Sequence, residues 1–257
     1  MRLFHGLFSP RPFLLLVSFA VIVAVFCLFP ELDILFSTLF YCGQGIWFND
    51  INSSFVVALR VIAMSIPAVL IVMLSLKCCL DLMLKRQSFR SSVRDLYYLL
   101  FIAFIGIAVT IRFFLKSLFN RARPFQIKEF GGNMDFNPLF DINNIYIFDS
   151  SFSSTHSACA FFLVALAFII NNKVWKKIIM AAAIIIGFMV SFSRISSGMH
   201  FLSDVLFSGL FICAISYLSY LIFYSDVRSN RGKEGFRGNF SKAKRILRRS
   251  GARNRDS

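Results

Sequence analysis

The stretch SRISSGMHFLSD, residues 193–204, has residue types and a spacing that could do chemistry on an anion. Its histidine, His200, lies four residues before Asp204 and six after Arg194. If a helix begins here, the i, i+4 spacing lets the carboxylate of Asp204 hold one imidazole nitrogen of His200. The other nitrogen is then free to act as a nucleophile, close to the positive charge of Arg194.

A second histidine, His156, lies in the stretch SSTHS, residues 153–157, where an apolar run begins. Ser153 or Ser154 is a good helix N-cap, which predicts that a helix starts at this point. The free backbone amides of a helix N-terminus attract anions, so we expect an anion site with His156 beside it.

The stretch KSLFNRARP, residues 116–124, contributes two further cations, Lys116 and Arg123. They are seven residues apart, which is two helical turns, so both side chains could point the same way if the helix continues that far. Pro124 then marks the exit from the helix. Together the three stretches bring three cations, a helix start and two histidines, a set that suits a phosphoryl group.

The rest of the chain is apolar enough to place these stretches in a membrane protein. Of its 257 residues 57% are hydrophobic, and the mean hydropathy is +0.70. A spanning helix needs about 20 apolar residues. We predict an all-α, polytopic membrane protein with six transmembrane helices in a single bundle formed by residues 1–224, with the chemical stretches in region 116–204. The six apolar runs are Phe13–Phe29, Phe55–Leu76, Tyr97–Leu115, Ser154–Ile170, Ile178–Phe192 and Phe201–Tyr224.

The basic residues in the connections predict the orientation of these spans. The connection after the first run has no Lys or Arg before residue 51, whereas the connections after the second and fourth runs, residues 77–95 and 171–177, have five and three. Cytoplasmic connections carry an excess of Lys and Arg. Both termini are therefore expected in the cytoplasm, and the three chemical stretches on the opposite face.

A basic tail, residues 225–257, follows the last run and holds eleven of the 28 Lys and Arg residues. It is polar and rich in Gly, Ser and Asn, which predicts a flexible cytoplasmic segment. After a membrane span, such a tail favours contact with anionic lipid headgroups over nucleic acid. The six cysteines form no CxxC pair and the carboxylates form no cluster in the sequence, so no metal and no cofactor is expected.

In order, K-x6-R-P, x-S-x-H and S-R-x5-H-x3-D resemble the three-part signature of the type 2 phosphatidic acid phosphatase superfamily. Its members are membrane lipid phosphatases related to vanadium haloperoxidases and bacterial acid phosphatases. The resemblance covers roughly residues 97–210. The middle part departs from the family's Pro-Ser-Gly-His, because Thr155 replaces the glycine. The backbone amide of Thr155 survives this change, but its conformational freedom shrinks.

The resemblance implies a metal-independent phosphatase with a phosphohistidine intermediate. In that reaction His200 attacks phosphorus and Asp204 holds it in orientation, while His156 protonates the departing oxygen and then helps a water molecule to attack. The groups that balance the charge on the phosphoryl oxygens would be Lys116, Arg123, Arg194, Ser154 and the amide of Thr155.

Two more arginines, Arg60 and Arg112, lie inside apolar runs towards the same face. They could snorkel or form ion pairs, or they could contact an anionic headgroup, and the sequence leaves both readings open. The connection 116–153 is long for a structureless loop, so we expect it to cover the pocket.

Within the superfamily, the segments FPELDILFSTLFY and HFLSDVLFSGLF resemble bacterial lipid A phosphatases. This resemblance implies a bacterial inner-membrane protein with a periplasmic active site and a lipid phosphate substrate. A phosphatase for undecaprenyl diphosphate or phosphatidylglycerophosphate, or a lipid phosphotransferase, would share the same catalytic residues. From another class, a transporter or lipid-binding protein could keep a decayed site, and Thr155 is the feature that favours it.

Overall fold

Helices account for most of the chain that the structure describes. The computed structural model describes residues 10–141 and 150–225, so the predicted tail lies outside the described residues apart from Ser225. Long apolar runs with few interior breakers form helices whose lipid-facing sides stay apolar. The helices are α1 Pro10–Leu28, α2 Glu31–Thr38, α3 Ser54–Met83, α4 Phe89–Phe101, a π-helix Ile102–Leu115, α5 Lys116–Phe119, α6 Thr155–Phe161, α7 Leu163–Ile169, α8 Lys173–Ser196 and α9 Leu202–Phe223.

Four helical segments are long and apolar enough to cross a membrane, by length and composition. They are Ser54–Met83, Phe89–Gln126, Lys173–Ser196 and Leu202–Phe223. The pair Val17–Leu28 and Glu31–Thr38, bent by 87°, would be a fifth if it counts as one span, and Thr155–Ile169 is a shorter apolar helix. The all-α class is confirmed, with a small hairpin as its only strands among the described residues. The count of six spans stays a prediction.

Helix α8 extends well beyond the apolar run from which it was predicted. It has 24 residues and includes the polar residues at both ends of that run. The side chain of Asn172 caps its start by accepting hydrogen bonds from the amides of Val174 at 2.9 Å and Trp175 at 3.2 Å. Its last turn carries Arg194, so this residue lies on the helix and not in a loop after it.

The helical stretch from α4 to α5 is wound as a π-helix over its central 14 residues. The hydroxyl of Thr110 donates a hydrogen bond of 2.8 Å to the carbonyl of Ile105, five residues back. The stretch ends at Phe119, because Asn120 takes a left-handed conformation with φ 41°. Arg123 follows in extended backbone, so the expectation that it shares a helical face with Lys116 is wrong.

The interior of the bundle is filled by aromatic, aliphatic and small residues. Phe161 packs between α8 and α9, where a Cβ atom on Gly187 would lie 2.4 Å from its ring and one on Gly209 would lie 2.9 Å away. Small residues at such positions let neighbouring helices approach closely. Around Phe152, the buried Phe207 and Phe119 form tilted and edge-to-face ring contacts.

Two short strands, β1 Tyr41–Gly43 and β2 Ile46–Trp47, form an antiparallel hairpin between α2 and α3. The ring of Trp47 lies so close to Gly198 that a Cβ atom there would be 2.3 Å from it. After the hairpin, the side chain of Asn49 donates a hydrogen bond of 2.7 Å to the hydroxyl of Ser196. The hairpin therefore packs against the turn between α8 and α9.

Candidate active site

A cavity of about 580 Å³ brings together eight of the ten residues predicted to form the site. They come from four stretches of the chain that are far apart in sequence. Ser154 and Asp204 are not among the lining residues. The eight are Arg60, Arg112, Lys116, Arg123, Thr155, His156, Arg194 and His200.

The connectivity explains why these residues meet at one end of the bundle. Arg60 lies near the start of α3, Lys116 follows the π-helix, and His156 lies in the first turn of α6. Arg194 lies in the last turn of α8, and Asp204 in the first turn of α9. Successive helices that run antiparallel bring the end of one beside the start of the next.

His200 lies in the short turn between α8 and α9. Gly198 has φ +68°, which glycine adopts without strain, and the amide of Met199 donates a hydrogen bond of 3.0 Å to the carbonyl of Arg194. The imidazole is 2% exposed. Burial lowers the pKa of His200 to about 3, an effect that exceeds the opposing influence of Asp204. The ring is therefore neutral near pH 7, as a nucleophile requires.

Asp204 lies behind His200, as the i, i+4 spacing predicted. The distance from Nδ1 of His200 to Oδ2 of Asp204 is 3.6 Å, slightly longer than a hydrogen bond. The carboxylate accepts a hydrogen bond of 2.8 Å from the amide of Phe201 and another from the hydroxyl of Ser151. Because Nδ1 faces Asp204, Nε2 is the nitrogen on the opposite side of the ring.

A buried ion-pair network that the sequence analysis missed holds Asp204 from behind. The guanidinium of Arg121 donates a hydrogen bond of 2.6 Å to Oδ1 of Asp204 and one of 2.8 Å to Oδ2 of Asp33. Its Nε donates a hydrogen bond of 2.9 Å to the carbonyl of Asn137. The guanidinium carbon lies over the ring of Phe201, 4.4 Å from the ring centre. A signal existed, since a charge inside an apolar segment such as Asp33 needs a partner.

The three predicted phosphate-binding cations surround the cavity from different elements. Nζ of Lys116 donates a hydrogen bond of 2.7 Å to the carbonyl of Ser150. The backbone amide of Arg123 donates a hydrogen bond of 2.8 Å to the side-chain oxygen of Gln126, and the side chain of Arg123 is buried. Arg194 is buried at the end of α8. Fixed positive groups in such a site stabilise negative charge without reorganising.

The start of α6 is built as the cap rule predicted. The hydroxyl of Ser154 accepts a hydrogen bond of 3.4 Å from the amide of Ser157, so it serves as the N-cap. Thr155 and His156 follow and line the cavity. Four cations act electrostatically on the imidazole of His156, namely Arg194, Arg60, Lys116 and Arg123.

The donor set around the cavity is cationic and hydroxylic. Among the described residues, 10–141 and 150–225, no group of three or more His, Cys, Asp or Glu side chains could hold a metal ion. Connection 116–153, which was expected to cover the pocket, is described only in part, because residues 142–149 lie outside the described ranges. Its first half contains two 3₁₀ turns, Pro124–Gln126 and Lys128–Phe130.

This helical fold and this site are those expected of a membrane protein with a cationic cavity and two histidines suited to phosphoryl chemistry. The family model of the PAP2 superfamily matches residues 96–228, which is more than half of the chain and includes all three chemical stretches. The chain belongs to the PAP2 superfamily.

Three curated relatives, all lipid A 4'-phosphatases, are similar over most of their length. The protein from Francisella tularensis subsp. novicida (strain U112) is 27% identical over 201 residues, 77% of this chain and 89% of the relative. Those from Rhizobium leguminosarum and Rhizobium etli (strain CFN 42) are 26% and 28% identical, covering 74% and 75% of this chain and 86% and 79% of the relatives. No solved structure matches the chain.

Proposed function

We propose that this chain is a lipid phosphate phosphatase of the bacterial inner membrane whose substrate is lipid A. Family membership and the lipid A 4'-phosphatase relatives support the reaction class and the substrate. The observation that carries the proposal is the cavity in which His156 and His200 meet Lys116, Arg123 and Arg194.

In the first step, Nε2 of His200 attacks phosphorus. A P–N bond forms while the P–O bond to the lipid breaks, and His156 gives a proton to the departing lipid oxygen. This step requires His156 to enter the reaction protonated, which the bound phosphate dianion favours. Asp204 stabilises the positive charge that develops on the ring of His200.

In the second step, water attacks the phosphohistidine. His156, now neutral, takes a proton from that water as the P–N bond breaks, so inorganic phosphate leaves and His200 is regenerated. Lys116, Arg123 and Arg194 balance the charge on the phosphoryl oxygens, with the amide of Thr155 at the start of α6. Ser154 acts by capping that helix start. These fixed cations supply the charge stabilisation for a reaction that needs no metal.

We also propose the topology in which this reaction runs. Six spans, with the bent pair as the first and Thr155–Ile169 as the fourth, place both termini in the cytoplasm and the cavity at the periplasmic face. Residues 1–224 then form the phosphatase domain. The basic tail, residues 225–257, would lie on the cytoplasmic side and contact anionic lipid headgroups.

The proposal is tested by phosphate release from lipid A by the purified protein in detergent with EDTA. We expect wild-type protein to release phosphate and His200→Ala to lose at least about 10³-fold in kcat, because the covalent route is removed. In the wild-type protein, labelled phosphate is expected on His200 as an acid-labile, alkali-stable adduct.

The matched control is His5→Ala, which removes the third histidine of the chain and lies outside all three chemical stretches. It should retain wild-type activity. Activity that survives in His200→Ala would refute the assignment of the nucleophile. Activity that disappears in EDTA and returns with a divalent cation would refute the metal-independent reaction.

A further inference from the structure

The cavity contains more positive charge than one phosphate needs. In the proposed reaction three cations surround the phosphoryl group, and the cavity is lined by two more, Arg60 and Arg112, with no carboxylate among its lining residues. A phosphate monoester carries a charge of about −1.5 to −2 near pH 7. The two additional arginines therefore call for a separate explanation.

Both arginines line the cavity from within helical segments, and Arg112 lies one turn before Lys116 on the same helical stretch. Arg60 is close enough to His156 to act on it electrostatically, and Arg112 acts in the same way on Cys159, one turn further along α6. Met64, one turn after Arg60, also lines the cavity, and its sulfur lies 3.8 Å from that of Cys159. Both arginines thus border the first two turns of α6.

Neither arginine is neutralised by the residues that the structure describes. No ion pair or hydrogen bond of either side chain is formed within residues 10–141 and 150–225, and Nε of Arg60 is buried without a hydrogen-bond partner. Both residues lie within helical segments apolar enough to span a membrane. Charges in such segments are costly and mark substrate pathways.

We propose that Arg60 and Arg112 form a second anion subsite, which binds a second phosphate of the same lipid headgroup while its first phosphate is removed. Two guanidinium groups match the charge of one phosphate and can each form paired hydrogen bonds with it. The proposal rests on the proposed function and narrows the substrate to lipids that carry two phosphates. A cavity of about 580 Å³ is within the range of sites for extended ligands, about 300–1,000 Å³.

The test compares diphosphorylated lipid A with a monophosphorylated lipid A that keeps only the phosphate to be removed, both in nonionic detergent micelles. The measured quantity is the ratio of the two kcat/KM values, for wild type, Arg60→Gln and Arg112→Gln. We expect wild type to prefer the diphosphorylated lipid and each variant to lose about tenfold of that preference, the size of one lost charge-assisted hydrogen bond.

The control is Arg90→Gln, which makes the same change at an exposed arginine that does not line the cavity. It should keep the wild-type ratio. A ratio that stays unchanged in Arg60→Gln and Arg112→Gln would overturn the subsite. So would an equal loss on both lipids, because the arginines would then act on the scissile phosphate or on the fold.

A binding measurement separates the subsite from the reaction. In a His200→Ala background, which cannot form the phosphohistidine, the diphosphorylated lipid should bind more tightly, and adding Arg60→Gln or Arg112→Gln should abolish the difference. If this binding result is obtained but the wild-type protein releases no phosphate, the subsite is supported and the proposed function is refuted. If anionic phospholipid in the micelles changes KM and the second phosphate does not, the arginines hold bulk lipid and the proposal fails.

Discussion

Asp204 lies behind His200, and an ion pair with the buried Arg121 holds its carboxylate in position. Arg121 is 1% exposed and bridges two buried carboxylates, Asp204 and Asp33, which are 171 residues apart. The carboxylate of Asp204, held by Arg121, places a negative charge behind His200. That charge favours the imidazolium-like form of His200 that develops as it attacks phosphorus.

The network predicts a large effect for Arg121→Lys, although the charge is kept. A lysine ammonium is a compact group and cannot hold Asp33 and Asp204 together in the way that the planar guanidinium does. One buried carboxylate then loses its partner, so we expect the free energy of unfolding to fall by about 3–5 kcal/mol. Thermal unfolding in detergent measures this, and kcat should fall as Asp204 loses its position.

Arg86→Lys is the matched control, because Arg86 is exposed and lies 3.9 Å from the carboxylate of Asp81. An exposed pair of this kind contributes at most about 1 kcal/mol, so this variant should unfold close to wild type. Equal stability of the two variants would show that the buried network does not stabilise the fold.

At the scale of the elements, the turn between α8 and α9 decides where His200 points. The amide of Phe125 donates a hydrogen bond of 3.1 Å to the carbonyl of Gly198, and the hairpin covers the turn with Trp47. We expect Gly198→Ala to lower kcat by at least about tenfold, because the added Cβ clashes with Trp47 and displacing a catalytic group by 1 Å costs on the order of 100-fold. Steady-state kinetics on a lipid phosphate measures the effect.

Gly45→Ala separates backbone strain from that clash. Gly45 has φ +77°, similar to Gly198, but a Cβ atom there would meet nothing within 4 Å. Both variants carry a left-handed backbone penalty of roughly 1–2 kcal/mol, so kcat should fall only in Gly198→Ala. If Gly45→Ala lowers kcat as much, the packing of Trp47 on the turn does not position His200.

Local patterns predicted the elements well and their contacts poorly. The apolar runs and the cap at Ser154 located the helices, and the i, i+4 spacing placed Asp204 beside His200, because these features depend on neighbours in sequence. The end of the helix before Arg123 depends on the left-handed Asn120, and the pairing of Arg121 with Asp33 spans 88 residues. Such contacts follow from the packing of the whole bundle.

At the scale of the whole molecule, the helices alternate in direction. The side of the membrane on which the cavity lies therefore determines the side on which each connection lies. Residues from the segments before α6 and after α8 line one cavity, so those two connections lie on one side of any membrane that the bundle crosses. The connection between α3 and α4 lies at the far end of α3, which at 30 residues is about 45 Å long. It contains Lys85 and Arg86, which favours the cytoplasm for that end.

Labelling with a membrane-impermeant maleimide tests this orientation. Two variants are compared, and both carry Cys27→Ser and Cys79→Ser. In the first variant the reporter is the exposed Cys42, on the hairpin beside the cavity. The second variant also carries Cys42→Ser, and its reporter is a cysteine in place of the exposed Ser88. In intact spheroplasts we expect Cys42 to react and Ser88→Cys to react only after the membrane is permeabilised, because the basic connection stays in the cytoplasm. The reverse pattern would place the cavity in the cytoplasm, and reaction of both reporters in intact spheroplasts would contradict the antiparallel arrangement on which the site depends.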